Sequence, residues 1–355
     1  MSRPAPAAGS PGASRPRGAV TAADGLLLVD KPAGPTSHDV VAAVRRLAAT
    51  RKVGHAGTLD PMATGLLVLG VGRATRLLTH LVGADKTYEA TVRLGQETLT
   101  EDAQGEVTAS AGCPAPDSWP GGGAGLARRL DDALRPLTGE IMQVPSAVSA
   151  IKVDGVRSYR RVRGGEDVAL PARSVTIRAL TLTGAPAGAC ADDGTRVVDL
   201  PLRVSCSSGT YVRALARDAG AALGVGAHLT ALRRTRVGGL PLDDALTLDE
   251  LTRAVEDTPT GEGEEPVLPL IPLGRAALDM FAALALTEAE AGAFAHGQAP
   301  RRSRAQLTQW AAEAGYAPQA APEEETPPIA AVSPSGEVLG LLRIDGTRLR
   351  TVLVF

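Results

Sequence analysis

The chain has 355 residues, 44% of them hydrophobic and 21% charged, which is globular composition with length enough for a full core and two domains. Net charge is −2, but eight acids sit in two Pro/Gly-rich stretches free of Lys and Arg (255–266 and 321–328), and setting those eight aside leaves +6 for phosphate binding. No apolar run nears the ~20 residues of a membrane span, and the three cysteines and five histidines lack C-x-x-C or H-x-x-x-H spacing, so a soluble cytoplasmic protein without disulfides or metal is expected.

Residues 1–22, rich in Ala, Pro, Gly and Ser, are expected to form a disordered tail. Leu26 to Val29 reads as a short buried strand. A helix follows from Thr36-Ser37-His38-Asp39, with Ser37 suited to the N-cap and Val40, Val41, Val44 and Leu47 at helical spacing. A loop punctuated by Gly54, Gly57 and Gly65 leads to a second buried strand, Leu66 to Val71, and strand-like alternation returns from Tyr88 to Leu94. The stretch 109–124 is an irregular excursion, and Leu126, Leu130, Leu134 and Leu137 mark a helix. Without a strict βαβ rhythm, the fold class expected is α/β (α+β), with a mixed sheet and flanking helices, rather than doubly wound. The acidic stretch 255–266 reads as a linker between domains at 23–254 and 267–355. Beyond it, Leu286-Thr-Glu-Ala-Glu starts a capped helix. Runs at 329–332, 340–344 and 351–355, separated by turns, predict a small C-terminal β-barrel.

The most unusual segment is Gly54-His55-Ala56-Gly57-Thr58-Leu59-Asp60-Pro61-Met62-Ala63-Thr64-Gly65. Pro61 biases Asp60 away from the helical region, so its carboxylate projects from an extended or turn backbone. Taken alone, this is also an ordinary turn in which the aspartate caps the next element. No G-K-[ST] follows for a phosphate loop, Gly70-Val-Gly72-Arg-Ala-Thr is not G-x-G-x-x-G, and adjacent Ser37-His38-Asp39 cannot converge as a triad.

The full string through Leu67 resembles the catalytic motif of the TruB family of tRNA pseudouridine synthases. Five further strings resemble the same family in the same order: Asp30-Lys-Pro-Ala-Gly-Pro-Thr-Ser37, Lys86-Thr-Tyr-Glu-Ala90, Gln143-Val-Pro-Ser-Ala-Val-Ser-Ala-Ile-Lys152, Cys206-Ser-Ser-Gly-Thr-Tyr-Val-Arg213 and Ala227-His-Leu-Thr-Ala-Leu-Arg-Arg-Thr235. The match runs nearly continuously over about 24–240. It implies the pseudouridine synthase fold, a largely antiparallel sheet with flanking helices, and a tRNA substrate whose T-loop uridine, conventionally numbered 55, is flipped out and isomerised. No metal or organic cofactor is implied.

By this resemblance Asp60 is the reacting carboxylate, as nucleophile or as base; the sequence leaves both open. Arg213 pairs with it, and alternation would put Tyr211 and Arg213 on one face of a strand. Tyr88 stacks on the flipped uracil and assists proton transfer, Tyr211 forms a second wall, Leu232 lines the pocket, and His55 fills space in the T-loop. Lys31, Lys86, Lys152 and Tyr159 complete the expected substrate-binding set. Each has a plainer reading: a core tyrosine or leucine, a solvated charge, a loop histidine bonded to backbone.

A thumb-like insertion over about 143–173, carrying Lys152, Arg157, Arg160, Arg161 and Arg163, is expected to close over the T-arm. It departs from the family at Val148, a position often aromatic, and at the Arg-Arg after Tyr159. Arg233, Arg234 and Arg236 read as a second basic patch. The C-terminal segment weakly resembles a PUA domain, with Arg301, Arg302 and Arg304 as its phosphate contacts. A monomer without obligatory protein partner is expected. The alternatives are an RNA-guided synthase, which the Met62-Ala-Thr-Gly65 continuation and the basic segment disfavour, and a non-catalytic tRNA-binding or folding protein.

Overall fold

The computed structural model describes residues 22–148, 170–258, 267–316 and 328–355, with backbone alone at 152–153 and 156–157. Tyr159, all but the last residue of the expected tail, and most of the two acidic stretches lie outside the described residues.

Two strands that are apolar on both faces organise the fold. β1 (Gly25–Lys31) leads through α1 (Ser37–Leu47) and β2 (Val53–His55) to β3 (Thr64–Val71), which pairs antiparallel with β1. Leu27, Val29, Leu67 and Leu69 enter one core, while Leu26, Leu28, Leu66 and Val68 enter another on the opposite face. Burial on both sides is why these strands read as unbroken apolar runs. α1 begins one residue earlier than expected: Thr36 is the N-cap, in a reciprocal capping box with Asp39. Ser37 is thereby released for another task, described below.

The chain continues through β4 (Lys86–Leu94), α2 (Gly122–Leu134), β5 (Gly139–Gln143), β6 (Arg173–Leu182), β7 (Arg196–Cys206), α3 (Val212–Leu223) and β8 (Ala227–Val237). The main sheet runs in the order Leu246–Thr247, β1, β3, β8, β4, β7, β6, β5. Its pairings are antiparallel except where Leu246–Thr247 meets β1 and where β3 meets β8. α1, α2 and α3 cover one face through Val40, Val44, Leu126, Leu130, Leu215 and Ala219. This is the mixed, largely antiparallel sheet with flanking helices that the sequence implies. The parallel β3–β8 contact brings strand ends 168 residues apart beside one loop, as the Thr64–Leu232 bond shows.

The expected linker is entered in regular structure, since a helix spans Leu248–Glu256. After α4 (Leu273–Met280) comes a four-stranded sheet, in the order β9 (Ala283–Ala285), β10 (Ile329–Val332), β11 (Val338–Asp345), β12 (Arg348–Val354). Among the described residues it is open, not the expected barrel, with β9 at one edge and β12 at the other, where Arg301 adds a single antiparallel bridge to Arg348. Four short strands are too few to close around side chains, and both faces are covered instead. Phe294 and Leu307, from helices Glu288–Ala295 and Arg304–Glu313, pack with Ile329 and Leu342 on one face. On the other, Ala330 and Leu341 join α4 and the second core of β1 and β3. Arg302 is not available as a phosphate contact: its guanidinium grips both oxygens of Glu290 at 2.8 and 2.7 Å and holds that carboxyl down at about 2. Among the described residues no helix is long and apolar enough to cross a membrane.

Candidate active site

The loop between β2 and β3 carries Asp60 at its tip, and its stems are strapped from three sides. Ser37 Oγ accepts from the Leu59 amide at 2.9 Å and donates to the Leu59 carbonyl at 3.1 Å. Lys31, fully buried, donates from Nζ to the carbonyls of Ala63 (2.7 Å), Pro32 (2.8 Å) and Pro61 (3.2 Å). Arg234, also buried, reaches from β8 to the carbonyls of Leu66 (2.7 Å), Gly57 (3.1 Å) and Thr58 (3.5 Å). Gly65 has φ +95°, and a Cβ there would lie 2.3 Å from the Arg234 carbonyl oxygen, so glycine is required where β3 and β8 meet. Leu59 and Ala63 anchor the loop in the main core.

Opposite the tip stands Arg213. It leaves the first turn of α3, whose N-cap is Tyr211, and not a strand as the alternation suggested. Val212, Leu215, Ala216 and Ala219 are buried at helical spacing, and this alanine-rich register overrides the two-residue pattern. Arg213 Nε donates to Asp60 Oδ2 at 2.9 Å. Its other nitrogens donate to the Thr100 carbonyl (2.7 Å), Ser146 Oγ (3.0 Å) and the Val148 carbonyl (3.0 Å), and Asp102 Oδ2 stands 3.7 Å from Nε. The Arg213 side chain is 5% exposed and that of Asp60 36%, so the cation is sealed while the carboxylate stays reachable.

The pair lines an open cleft of about 470 Å³, walled also by Tyr88, Leu232, Lys86, Arg234 and the turn from Ser207 to Tyr211. Tyr88 and Leu232 come from adjacent strands: Tyr88 faces Arg234 and Val204 in the sheet register, and Leu232 is two residues before Arg234. Burial pushes the Tyr88 phenol above its ordinary range, with the Arg234 guanidinium pulling the other way. Lys86 lines the cleft but spends its ammonium on the carbonyls of Ala84 (2.6 Å) and Val82 (2.7 Å). Burial pushes both Lys86 and Lys31 down to about 8. His55, ending β2, stands edge-on to His38 with ring centroids 5.5 Å apart, and its imidazole is pushed down by burial and by the His38 and Arg234 charges.

Asp60, Tyr88, Arg213, Tyr211, Leu232 and Lys86 thus converge on one cleft. Lys31 does not line it; it braces the Asp60 loop from within. Lys152 lies in a two-stranded hairpin with Arg157, and Tyr159 falls outside the described residues. Arg233, Arg234 and Arg236 are not one basic patch: Arg233 pairs with Asp30 at 2.6 Å and Arg234 is interior. Ser37, Ser146, Thr100, Asp102 and Gln143, which bonds both the amide and the carbonyl of Tyr211, went unremarked as site residues in the sequence, and Arg234 was read only as part of a basic patch. A signal existed for Arg234, since a residue two on from Leu232 in a strand shares its face.

Comparison with known proteins gives the same fold and a family. Residues 45–212 match the model described as TruB family pseudouridylate synthase (N terminal domain), and 213–277 that of the tRNA pseudouridylate synthase B C-terminal domain. The tRNA pseudouridine synthase B of Leifsonia xyli subsp. xyli is 50% identical over 332 residues, covering 93% of this chain and 96% of the relative. That of Streptomyces griseus subsp. griseus is 56% identical over 250 residues, covering 70% and 80%. Among solved structures, a Cbf5-Nop10-Gar1 complex aligns with TM-score 0.60 at 24% identity, over 93% of this chain and 84% of that one, a likeness that speaks for the fold alone. The chain belongs to the TruB family of pseudouridylate synthases.

Proposed function

We propose that the chain isomerises uridine to pseudouridine in tRNA, at the T-loop position conventionally numbered 55, with Asp60 as the reacting carboxylate. The observation that carries this reading is the Asp60–Arg213 pair, a reachable carboxylate against a sealed guanidinium at 2.9 Å, on the floor of a cleft walled by Tyr88 and Leu232. The relatives named tRNA pseudouridine synthase B support the substrate class.

The reaction breaks N1–C1′, turns the uracil, and joins C5 to C1′; C5 loses a proton and N1 gains one. Substrate and product are isomers, so the balance needs no co-reactant. A stacked base cannot reach a carboxylate at the bottom of a cleft, so the uridine must flip out, at a cost of a few kcal/mol. Stacking on Tyr88, about 1–3 kcal/mol, offsets it. Asp60 acts either by attack at the ribose or by removing a ribose proton. Both routes use the anion, and Arg213 supplies its counter-charge from a buried position. Tyr88 works as a ring and a hydroxyl, and burial pushes its phenol further from ionisation.

On resemblance, His55, Lys152 and Tyr159 remain in the RNA-binding set, with the insertion at 143–173 as a thumb on the T-arm. The C-terminal sheet is read as a PUA-like RNA-holding unit, using the exposed Arg301 and Arg304. We read the protein as a monomer that needs no protein partner and works in the cytoplasm.

The test is nucleoside mass spectrometry of an unmodified tRNA transcript after incubation in metal-free buffer with wild type and Asp60→Ala. Pseudouridine at the T-loop uridine with wild type alone is the expected result. Tight tRNA binding with no product would sink the reading in favour of a partner-dependent synthase or a binding protein.

A further inference from the structure

We propose that Arg217 and Glu101, neither of which lines the cleft, are positioning residues that set the Asp60–Arg213 pair. The inference rests on the reading of the chain as a pseudouridine synthase.

Arg213 and Arg217 are four residues apart in α3 and leave it on one face, a turn apart. Each ties the same two loops to the helix. Arg213 donates to Thr100 in the first loop and to Ser146 and Val148 in the second. One turn further on, Arg217 donates to Glu101 Oε1 in the first (2.8 Å) and to the Val144 carbonyl in the second (2.9 Å). Its Nε goes to Asp218 Oδ1 at 2.8 Å, so each nitrogen of this guanidinium carries a bond. The aim of Arg213 at Asp60 depends on where Thr100, Ser146 and Val148 stand. Arg217 holds the residues beside them.

The first loop has an independent sign of constraint. Glu101 has φ +60°, a left-handed conformation that a side chain longer than glycine's adopts only when its surroundings impose it. Three contacts hold it here: the Arg217 ion pair, the turn bond from the Glu101 amide to the Thr98 carbonyl at 3.0 Å, and the bond from the Leu229 amide to the Glu101 carbonyl at 3.0 Å. Its other carboxylate oxygen, Oε2, is buried without a hydrogen-bond partner among the described residues. Glycine would take this backbone without strain, so what the glutamate adds is the pair. Asp102, next in the chain, is buried against Arg213, and a shift at Glu101 reaches the catalytic guanidinium through both of its neighbours.

The experiment is single-turnover pseudouridine formation on an unmodified tRNA transcript, with tRNA affinity by filter binding and thermal unfolding measured in parallel. The proteins are wild type, Arg217→Met, Arg217→Lys, Glu101→Gln, Glu101→Gly and the double Arg217→Met/Glu101→Gln. Arg93→Met is the control; it removes a similar two-bond pair, Arg93–Asp199, with both bonds at 2.8 Å, in a different part of the sheet. Arg217→Met and Glu101→Gln are expected to slow the turnover by about tenfold or more, because small misplacements of a catalytic group are costly. Affinity should stay within about twofold, and the double variant should be no slower than the worse single one. Arg217→Lys, which keeps charge against Glu101, should recover part of the loss. Glu101→Gly should stay slow although its backbone is relaxed, and Arg93→Met should lose stability but keep its rate. Singles within about twofold of wild type, affinity falling in step with rate, a fast Glu101→Gly, or an equally slow Arg93→Met would each overturn the proposal. An inactive wild type would be a different failure, that of the functional reading beneath it.

Discussion

The tip and the stems of the Asp60 loop are held by cations in opposite ways. At the tip, Arg213 meets a carboxylate through one nitrogen and one oxygen. At the stems, Lys31 and Arg234 donate six bonds to carbonyl oxygens, those of Gly57, Thr58, Leu66, Pro32, Pro61 and Ala63, and Arg234 also acts on the Tyr88 phenol. A carbonyl offers a dipole and no counter-charge, so a cation held there fixes backbone, and its charge reaches Asp60 only through space, as that of Lys31 does. The difference teaches which charges are available to chemistry. The stem cations hold the loop's backbone; the tip cation holds its carboxylate.

Substitutions can break this division or sharpen it. The largest effect after Asp60→Ala, expected to be on the order of 10⁴-fold in rate, belongs to Arg213→Lys. It keeps the charge but cannot reach four acceptors on three segments, and a loss of about 10²-fold or more with tRNA affinity retained is expected in single-turnover assays. A variant that kept its rate would show that charge alone suffices at the tip. Arg234→Met should act on stability first, since it leaves buried carbonyls without donors; about 3 kcal/mol is expected from denaturant unfolding. If the rate collapsed instead with stability intact, Arg234 would belong with the tip. Gly65→Ala forces a Cβ against the Arg234 carbonyl at positive φ and should cost about 2 kcal/mol by the same measurement. A neutral outcome would mean that β3 and β8 can part there without harm.

The smallest effect is a pH dependence. Burial lowers Lys31 from an ordinary 10.5 to about 8, so between those values the unfolded chain binds more protons than the folded one. Stability from this group is therefore present above 10.5, rises with pH across the window, and is lost as pH falls through 8. The Tm of wild type relative to Lys31→Met should increase by about 2–4 °C between pH 7.5 and 9.5. A constant difference would mean that the carbonyls fully repay the buried ammonium.

Much of the fold was legible because its signals are local. The doubly buried β1 and β3, the alternation of β4 and the capping box at Thr287 and Glu290 each follow from residues within one element. The C-terminal runs were legible as strands, but their closure was not, because an open sheet and a barrel use the same alternation and differ only in what covers their faces. The Gly-Thr-Tyr-Val-Arg string was misread as strand, since two residues cannot distinguish a strand face from a helix start. At Ser37 and Arg234, residues with an obvious local role were instead used across the molecule.

Within the site, the sequence by itself singled out Asp60, Arg213 and Tyr88 as candidates through the family strings that carry them, while local geometry fixed only that Asp60, before proline in a glycine-rich loop, stands on an extended or turn backbone. Only the tertiary structure decided which cation faces Asp60. Arg213 and Arg234 are both buried arginines beside the same loop, 153 and 174 residues from Asp60 in the chain. One was brought in by a helix start and the other by a parallel strand pairing. Which of the two finds a carboxylate and which finds carbonyls is set by packing between distant segments, and no local pattern carries that information.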